Sequence, residues 1–199
     1  ELSQMERLYL YQLTNYNKIL VQRNNLLKQI RFQNNLIETL EAWDIQLVKY
    51  GSEVIKYREK FIKHLGEVCQ KIHNKLTGGK EKILLEYDRD VGYDSYLTEL
   101  AKKRQKDLKY STTTVGPHRD DISFIVNGID IRKYGSQGQQ RTAALSLKLA
   151  QIQLMREVMK ESPILLLDDV LSELDSNRKT YLLESIKDTQ TIITCTGLD

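Results

Sequence analysis

The chain has 199 residues, of which 40% are hydrophobic and 29% charged, and its formal net charge is +3. These values suit one ordinary domain or two small ones with a buried core, and they exclude collagen-like, mucin-like and disordered compositions. The weak positive charge is compatible with nucleic-acid binding but does not indicate it, and no apolar stretch is long enough to cross a bilayer, so no membrane association is expected.

Residues 1–112 are predicted to form a mainly helical arm with one short strand. Up to Leu76 the sequence has no proline, and apolar side chains recur three or four residues apart in two stripes, as on buried helix faces. The first stripe contains Leu20, Leu26, Leu27, Ile30 and Ile37, and the second contains Trp43, Leu47, Ile55, Phe61, Ile62, Leu65, Val68, Ile72 and Leu76. A break at residues 42–44 is expected to separate two antiparallel helices, with a strand at 83–87 and a basic helix at 93–108 after them.

Residues 113–199 are predicted to be α/β. Two alternating segments, 121–126 and 129–131, flank Asn127 and Gly128, and this pattern is typical of a β-hairpin. A helix that opens at Gly138 follows.

The remaining segments predict a crossover unit. The wholly apolar run 164–167 and the run 191–194 are separated by a predicted helix at about 177–186. Short apolar runs flanked by helices favour buried parallel strands, joined by a right-handed connection.

Two acids, Asp168 and Asp169, follow the first of these strands. Ligands of open α/β sheets bind at the carboxyl ends of strands, and Mg²⁺ prefers one or two carboxylates together with waters and phosphate oxygens. Asp168 is therefore a candidate Mg²⁺ ligand, and Asp169 could orient or deprotonate an attacking water. A strand that merely ends in polar residues would give the same pattern.

A second candidate site precedes the helix that opens at Gly138. Residues 134–141 read Tyr-Gly-Ser-Gln-Gly-Gln-Gln-Arg, so free N–H groups and the positive end of the helix dipole would face outward there. Such an end binds a phosphate, although a plain serine cap is the alternative interpretation. Residues 172–175, Ser-Glu-Leu-Asp, follow Asp169 and would otherwise be a turn that caps the next helix.

In this order, the three segments resemble the signature motif, the Walker B motif and the D-loop in the C-terminal half of an ABC-type ATPase head. At the level of individual residues, these and neighbouring segments resemble the RecF family. The segments that carry this resemblance are SQGQQR at 136–141, TTVGPHRDD at 113–121, QRNNLL at 22–27 and WDIQLVKYG at 43–51.

The resemblance implies an SMC-like ATPase of DNA replication, recombination and repair, within the SOS response, that dimerises head to head on ATP. It also implies binding to single- and double-stranded DNA at gaps and junctions, with RecO and RecR as partners in loading RecA. A cytoplasmic location agrees with the two cysteines, Cys69 and Cys195, which form no CxxC pair and favour a reduced protein.

The resemblance also assigns roles to residues. Asp168 would hold Mg²⁺ on the protomer's own nucleotide, and Asp169 would occupy the catalytic position. The residues assigned to ATP are Ser136, Gln137, Gly138, Gln139 and Asp175. Of these, Ser136 and Gly138 would contact the γ-phosphate of ATP held by the opposite protomer, and Asp175 would lie at the dimer seam.

One part of the ATPase pattern is missing. The chain has no P-loop, because Gly79-Lys80 is followed by Glu81 and has Asn74 where the first glycine belongs. We therefore expect a piece of a longer protein, cut at Glu1 and at Asp199, that cannot hydrolyse ATP alone. Asp169, one methylene shorter than the usual glutamate, predicts slow hydrolysis in the whole protein.

Two alternatives remain open at this stage. The helical arm could bind a protein or DNA independently of nucleotide, or the chain could derive from another SMC-like ATPase. The lysine-rich run 102–109 is either a solvated helix face or a set of contacts to DNA phosphates.

Overall fold

The structure, a computed structural model, describes residues 1–160, 162–171 and 174–194. The chain divides into two compact units that interleave in sequence. The first comprises Glu1–Lys63 and Tyr87–Ile122, and the second comprises His64–Glu86 and Ser123–Asp199. These units follow from packing, and the predicted boundary between arm and head at residues 112 and 113 stays a prediction.

The helical part of the chain begins with a short and a long helix. Its elements are α1 (Leu2–Met5), α2 (Arg7–Ile30), a 3-10 helix (Asn34–Thr39), α3 (Leu40–Leu76) and α4 (Tyr96–Tyr110). Tyr9 of α2 packs edge-on against Tyr57 of α3, whereas Arg23 of α2 pairs with Asp44 of α3. Because later residues of α2 meet earlier residues of α3, the two helices are antiparallel, as predicted.

The predicted break between these helices is misplaced. Residues 42–44 lie in the first turns of α3, and the chain reverses earlier, between Ile30 and Leu40. Leu40 is fully buried and packs with Leu27 and Ile30, so the turn brings the ends of the two helices together. The polar run at residues 33–35, Gln-Asn-Asn, is typical of a turn. The prediction gave more weight to the apolar stripes and so placed the break too late.

The core of the first unit lies between α2, α3 and α4. Its members are buried apolar or aromatic side chains: Tyr9, Tyr16, Ile19, Leu47, Val54, Ile55, Val91, Tyr96, Leu100 and Val115. Gly51 of α3 allows the close approach of two of them, since a Cβ there would lie 2.6 Å from Cε1 of Tyr96 and 3.0 Å from Cε2 of Tyr16.

The predicted hairpin is confirmed. Strand β2 (Asp121–Val126) pairs antiparallel with β3 (Ile129–Asp130), with Val126 opposite Ile129, and β1 (Ile83–Asp88) lies on the other side of β2. The second strand of the hairpin is shorter than expected, because the Asp130 side chain accepts a hydrogen bond from Arg132 N at 3.0 Å. This cap starts helix α5 (Ile131–Tyr134) where a strand residue was predicted.

The crossover unit is also confirmed. Helix α6 (Gln137–Met159), strand β4 (Leu165–Asp168), helix α7 (Ser176–Ser185) and strand β5 (Thr191–Thr194) follow one another, and β4 and β5 are parallel. Among the described residues, every helix is too short or too polar to span a bilayer.

The expectation that both faces of this strand pair are buried is wrong. Leu165 and Leu167 are buried, whereas Leu166 is 70% exposed and Ile192, its register partner on β5, is 57% exposed. Side chains alternate between the faces of a strand, so one face packs against the helices and the other stays open within the described residues.

Candidate nucleotide site

The candidate signature motif forms the exposed N-terminal end of α6. Ser136 is the N-cap, and its Oγ accepts a hydrogen bond from Gln139 N at 3.3 Å. In return, Gln139 Oε1 accepts a hydrogen bond from Ser136 N at 3.1 Å, which completes a capping box. The first-turn N–H groups of a helix have no intrahelical acceptors, so those of Gln137 and Gly138 remain available at this exposed end.

The space around this helix end suits an anion. A Cβ placed on Gly138 would meet no atom within 4 Å, so the backbone there is open to a ligand. An α-helix of 23 residues directs its dipole to the same point. The geometry therefore fits a phosphate group at Ser136 and Gly138.

The two candidate acids lie at the carboxyl end of β4, where Thr194 of β5 holds both. The Thr194 hydroxyl donates a hydrogen bond to Asp168 Oδ1. The same hydroxyl and the Thr194 carbonyl accept from Asp169 N, at 3.0 and 3.1 Å. Asp169 has a positive φ of 50°, a conformation that few non-glycine residues adopt, so the chain turns sharply there.

Asp168 can take part in a magnesium site of the usual nucleotide type. It is exposed on the open face of β4, and Thr194 fixes the direction of its carboxylate. Within the described residues, no cluster of three or more His, Cys, Asp or Glu side chains forms a closed cage for a metal. A single oriented carboxylate is what Mg²⁺ uses when waters and phosphate oxygens complete its shell.

Asp175 caps α7. Its Oδ1 accepts a hydrogen bond from Arg178 N at 3.0 Å, and its other oxygen lies 3.5 Å from Arg178 Nε. The capping role that the sequence allowed is thus confirmed, and the side chain is also exposed, as a residue at a dimer seam must be. The first two residues of the candidate D-loop, 172 and 173, lie outside the described residues.

Each motif therefore has its own supporting contacts. Asp168 and Asp169 meet on Thr194, Ser136 is held by Gln139, and Asp175 caps α7.

Comparison with known proteins identifies the family. No protein-family model matches the chain. RecF of Agathobacter rectalis is 57% identical over 199 residues, which is 100% of this chain and 55% of that protein, and RecF of Clostridium perfringens is 47% identical over 204 residues. A solved structure of the recombination mediator RecF with ATP has a TM-score of 0.88 and 38% identity, covering 98% of this chain and 55% of that chain. The chain belongs to the RecF family.

The likeness to RecF extends over both units but not over the whole of its relatives. The chain spans about half the length of the curated RecF proteins that it matches. A second RecF structure, with an ATP analogue, matches with a TM-score of 0.86 over 98% of this chain. The predicted fold class is therefore confirmed: an α/β part of an ABC-type, SMC-like ATPase head with a mainly helical arm, as in RecF.

Sequence reasoning missed two residues that support the RecF motifs. Thr194 was predicted only as the last residue of the strand at 191–194, yet it orients both acids. Glu81 accepts a hydrogen bond from Gln139 Nε2 at 3.1 Å and so touches the signature motif from 58 positions away in sequence. No local pattern could reveal that second contact.

Proposed function

We propose that this chain supplies the signature, Walker B and D-loop elements of a RecF ATPase that sandwiches ATP between two protomers. The observation that carries the proposal is the pairing, in one unit, of an exposed capped helix end at Ser136 with an oriented carboxylate at Asp168. Family membership supports it, since a similar RecF structure is of a complex with ATP.

In this proposal, the site residues of one protomer contact two different nucleotides. Asp168 would hold Mg²⁺, which supplies charge neutralisation of the phosphates, on the protomer's own ATP. Asp169 would orient the attacking water there. Ser136 and Gly138 would donate to the γ-phosphate of the partner's ATP, with Gln137 and Gln139 beside them and Asp175 at the seam.

A mixing experiment tests this division. In a full-length RecF protein that contains this chain, Ser136→Arg and Asp168→Asn should each abolish ATP hydrolysis. If the two residues serve different nucleotides, a mixed dimer carries one intact composite site, and equimolar mixing should restore about a quarter of the wild-type rate. A mixture as inactive as the separate variants would contradict the composite site.

The slow rate expected from Asp169 belongs to the same proposal. A carboxylate one methylene shorter than glutamate reaches less far towards the water, so ATP would act as a timed clamp on the dimer. Asp169→Glu should then raise the hydrolysis rate of the full-length protein, whereas a transporter-like rate in the wild type would contradict the clamp.

DNA binding and the partners RecO, RecR and RecA are part of this proposal. Relatives named as DNA replication and repair proteins and a similar structure described within the RecFOR pathway support it. We infer that the whole protein recognises gapped or junction DNA and helps to load RecA with RecO and RecR.

Helix α4 offers one surface for the DNA contacts. Lys103, Lys106 and Lys109 are exposed on it, whereas Arg104 pairs with buried Asp44 at 2.9 Å and belongs to the core. Replacing Lys103 and Lys106 by glutamine should weaken DNA binding and reduce the salt dependence of the affinity by about two phosphate contacts. An unchanged salt dependence would show that this face is only solvated.

A further inference from the structure

A buried hydrogen-bond ladder follows one face of α6 from its second turn back to the signature motif. Ser146 Oγ donates to Thr142 O at 2.7 Å, and Thr142 Oγ1 donates to Gly138 O at 2.7 Å. Both side chains are almost fully buried. At the far end of the ladder lies His73, near the C-terminus of α3, with its Nδ1 2.9 Å from Ser146 Oγ.

A second set of contacts connects His73 to the signature motif. Glu81 Oε2 lies 3.3 Å from His73 Nε2, and Glu81 Oε1 accepts from Gln139 Nε2 at 3.1 Å. Gln139 in turn accepts from Ser136 N. The pair of His73 and Glu81 is therefore connected to both residues that would receive the phosphate, Gly138 by the ladder and Ser136 through Gln139.

The direction of these hydrogen bonds fixes the protons on His73. Ser146 has one hydroxyl hydrogen, which it donates to the Thr142 carbonyl, so towards His73 it can only accept and Nδ1 must carry the hydrogen. A neutral His73 would then turn a lone pair on Nε2 towards the Glu81 carboxylate. His73 Nε2 and Glu81 Oε2 are buried, and among the described residues neither atom has a hydrogen-bond partner.

One additional proton turns this contact from repulsive to attractive. With a proton on His73 Nε2, that N–H would donate to the Glu81 carboxylate, instead of two lone pairs facing each other. Burial lowers the pKa of His73, the Glu81 carboxylate acts in the opposite direction, and Arg178 of α7 adds to the lowering. Burial is the largest of these effects, so the pKa of His73 lies below its ordinary value.

We propose that His73 and Glu81 are positioning residues for the signature motif, which they hold in the shape that receives a phosphate. The inference deepens the proposed function and rests on it. The Gln139 amide can turn either its oxygen or its nitrogen towards Ser136. The Glu81 oxygen that faces it accepts a hydrogen bond, so it selects the orientation in which Gln139 Oε1 faces Ser136 N.

Amide hydrogen exchange on the 199-residue chain tests the positioning without nucleotide. Glu81→Ala removes the acceptor, and the N–H groups of Ser136 and Gln139 should exchange about five-fold faster, the usual effect of losing a helix cap. Glu81→Gln keeps an acceptor for Gln139 and can donate to a neutral His73, so it should restore slow exchange. The matched control is Glu86→Ala, an exposed carboxylate on β1.

The exchange rates of these variants show whether Glu81 positions the signature motif. Faster exchange in Glu81→Ala alone supports the inference. Exchange in Glu81→Ala that equals that of the Glu86→Ala control overturns it, and so does a Glu81→Gln variant that behaves like Glu81→Ala, because then the carboxylate site would not orient the amide.

Nitrogen NMR of the imidazole ring gives a second readout that a merely structural role would not move. The chain has three histidines, and substitution of exposed His64 simplifies the assignment. His73 should keep its hydrogen on Nδ1 throughout a pH titration, and in Glu81→Gln its Nε2 should accept a hydrogen bond from the new side-chain amide. A neutral His73 with its hydrogen on Nε2 would overturn the inference.

ATP-dependent dimerisation of the full-length protein separates this inference from the proposed function. Glu81→Ala should raise the ATP concentration needed for dimerisation about five-fold, and Glu81→Gln should not. If Ser136→Arg blocks dimerisation while Glu81→Ala leaves it unchanged, the positioning inference fails. If exchange responds to Glu81→Ala while Ser136→Arg has no effect on dimerisation, the proposed function fails and the positioning stands.

Discussion

Arg23 offers the sharpest test of how the arm is held together. Its side chain is fully buried, and its guanidinium donates to Asp44 at 2.7 Å, to Asp107 at 2.8 Å and to Thr113 at 2.8 Å. These partners come from α3, α4 and the segment after α4, so a single cation joins three parts of the first unit. Replacing Arg23 by methionine keeps an unbranched side chain of similar length and removes the charge.

The expected loss of stability follows from what the substitution leaves behind. Breaking a buried ion pair by removing one partner typically costs about 3–5 kcal/mol, because the other charge stays buried. Here both carboxylates keep a second contact: Asp44 accepts from Arg104 at 2.9 Å, and Asp107 accepts from the Thr114 N–H at 2.9 Å. We therefore expect Arg23→Met to lower the free energy of unfolding by about 3 kcal/mol, at the low end of that range.

Urea unfolding of the chain, followed by circular dichroism, measures this loss. Two arginine-to-methionine controls calibrate it. Arg104 is one-third exposed, and within the described part of the chain its ion-pair partner is Asp44, so Arg104→Met should cost below about 1 kcal/mol, and exposed Arg31→Met should cost about 0.5 kcal/mol or less. An Arg23→Met variant no less stable than Arg104→Met would refute the view that the buried charges depend on Arg23.

Four further predictions follow from single residues. Gly116→Ala should cost about 2–4 kcal/mol of unfolding free energy, because φ is +134° and the new Cβ would collide with the Tyr96 hydroxyl; an unchanged urea midpoint would contradict this. Burial raises the pKa of Cys69 to about 12, so maleimide at pH 8 should modify Cys69 only after unfolding, as peptide mass spectrometry can show. Since the raised pKa disfavours the thiolate, its contribution to stability should be complete below the ordinary thiol pKa of about 8.5 and decline as pH rises towards 12. Thr194→Val removes the hydrogen bond to Asp168 and should raise the Mg²⁺ concentration needed for ATP binding by the full-length protein about five-fold, which calorimetry at varied Mg²⁺ would detect or refute.

Local chemistry made much of the fold predictable. Asn127 and Gly128 both have positive φ, as a two-residue hairpin turn requires, so a dipeptide sufficed to place β2 and β3. A serine cap was one of the two interpretations of Ser136, from its position before an apolar-periodic helix, and the capping box shows that Ser136 caps α6. In each case the residues that determine the structure are neighbours in sequence.

The wrong or missing predictions concern residues whose contacts are distant in sequence. Trp43 was placed both on the second apolar stripe and in the break at residues 42–44, but only the stripe is right, because Trp43 lies in α3 and packs against the buried cluster around Leu27. His73 carries no local signal of a role, yet it is fully buried and its Nδ1 lies 2.9 Å from Oγ of Ser146, 73 positions later. Pairings of this separation are set by tertiary packing, and a single sequence contains no signal for them.

The open face of β4 bears on both the packing of the strand and the chemistry of Asp168. The run 164–167 is apolar at every position, as in a strand covered on both sides, but the described residues cover only one. Asp168 and Thr194 project from that open face, in line with Leu166 and Ile192. Cover supplied to this face would bury the two apolar side chains and would also exclude water near Asp168. Because charges interact more strongly where water is excluded, the same cover would strengthen the hold of Asp168 on Mg²⁺. A segment that covered this face would therefore also complete the nucleotide site that we propose.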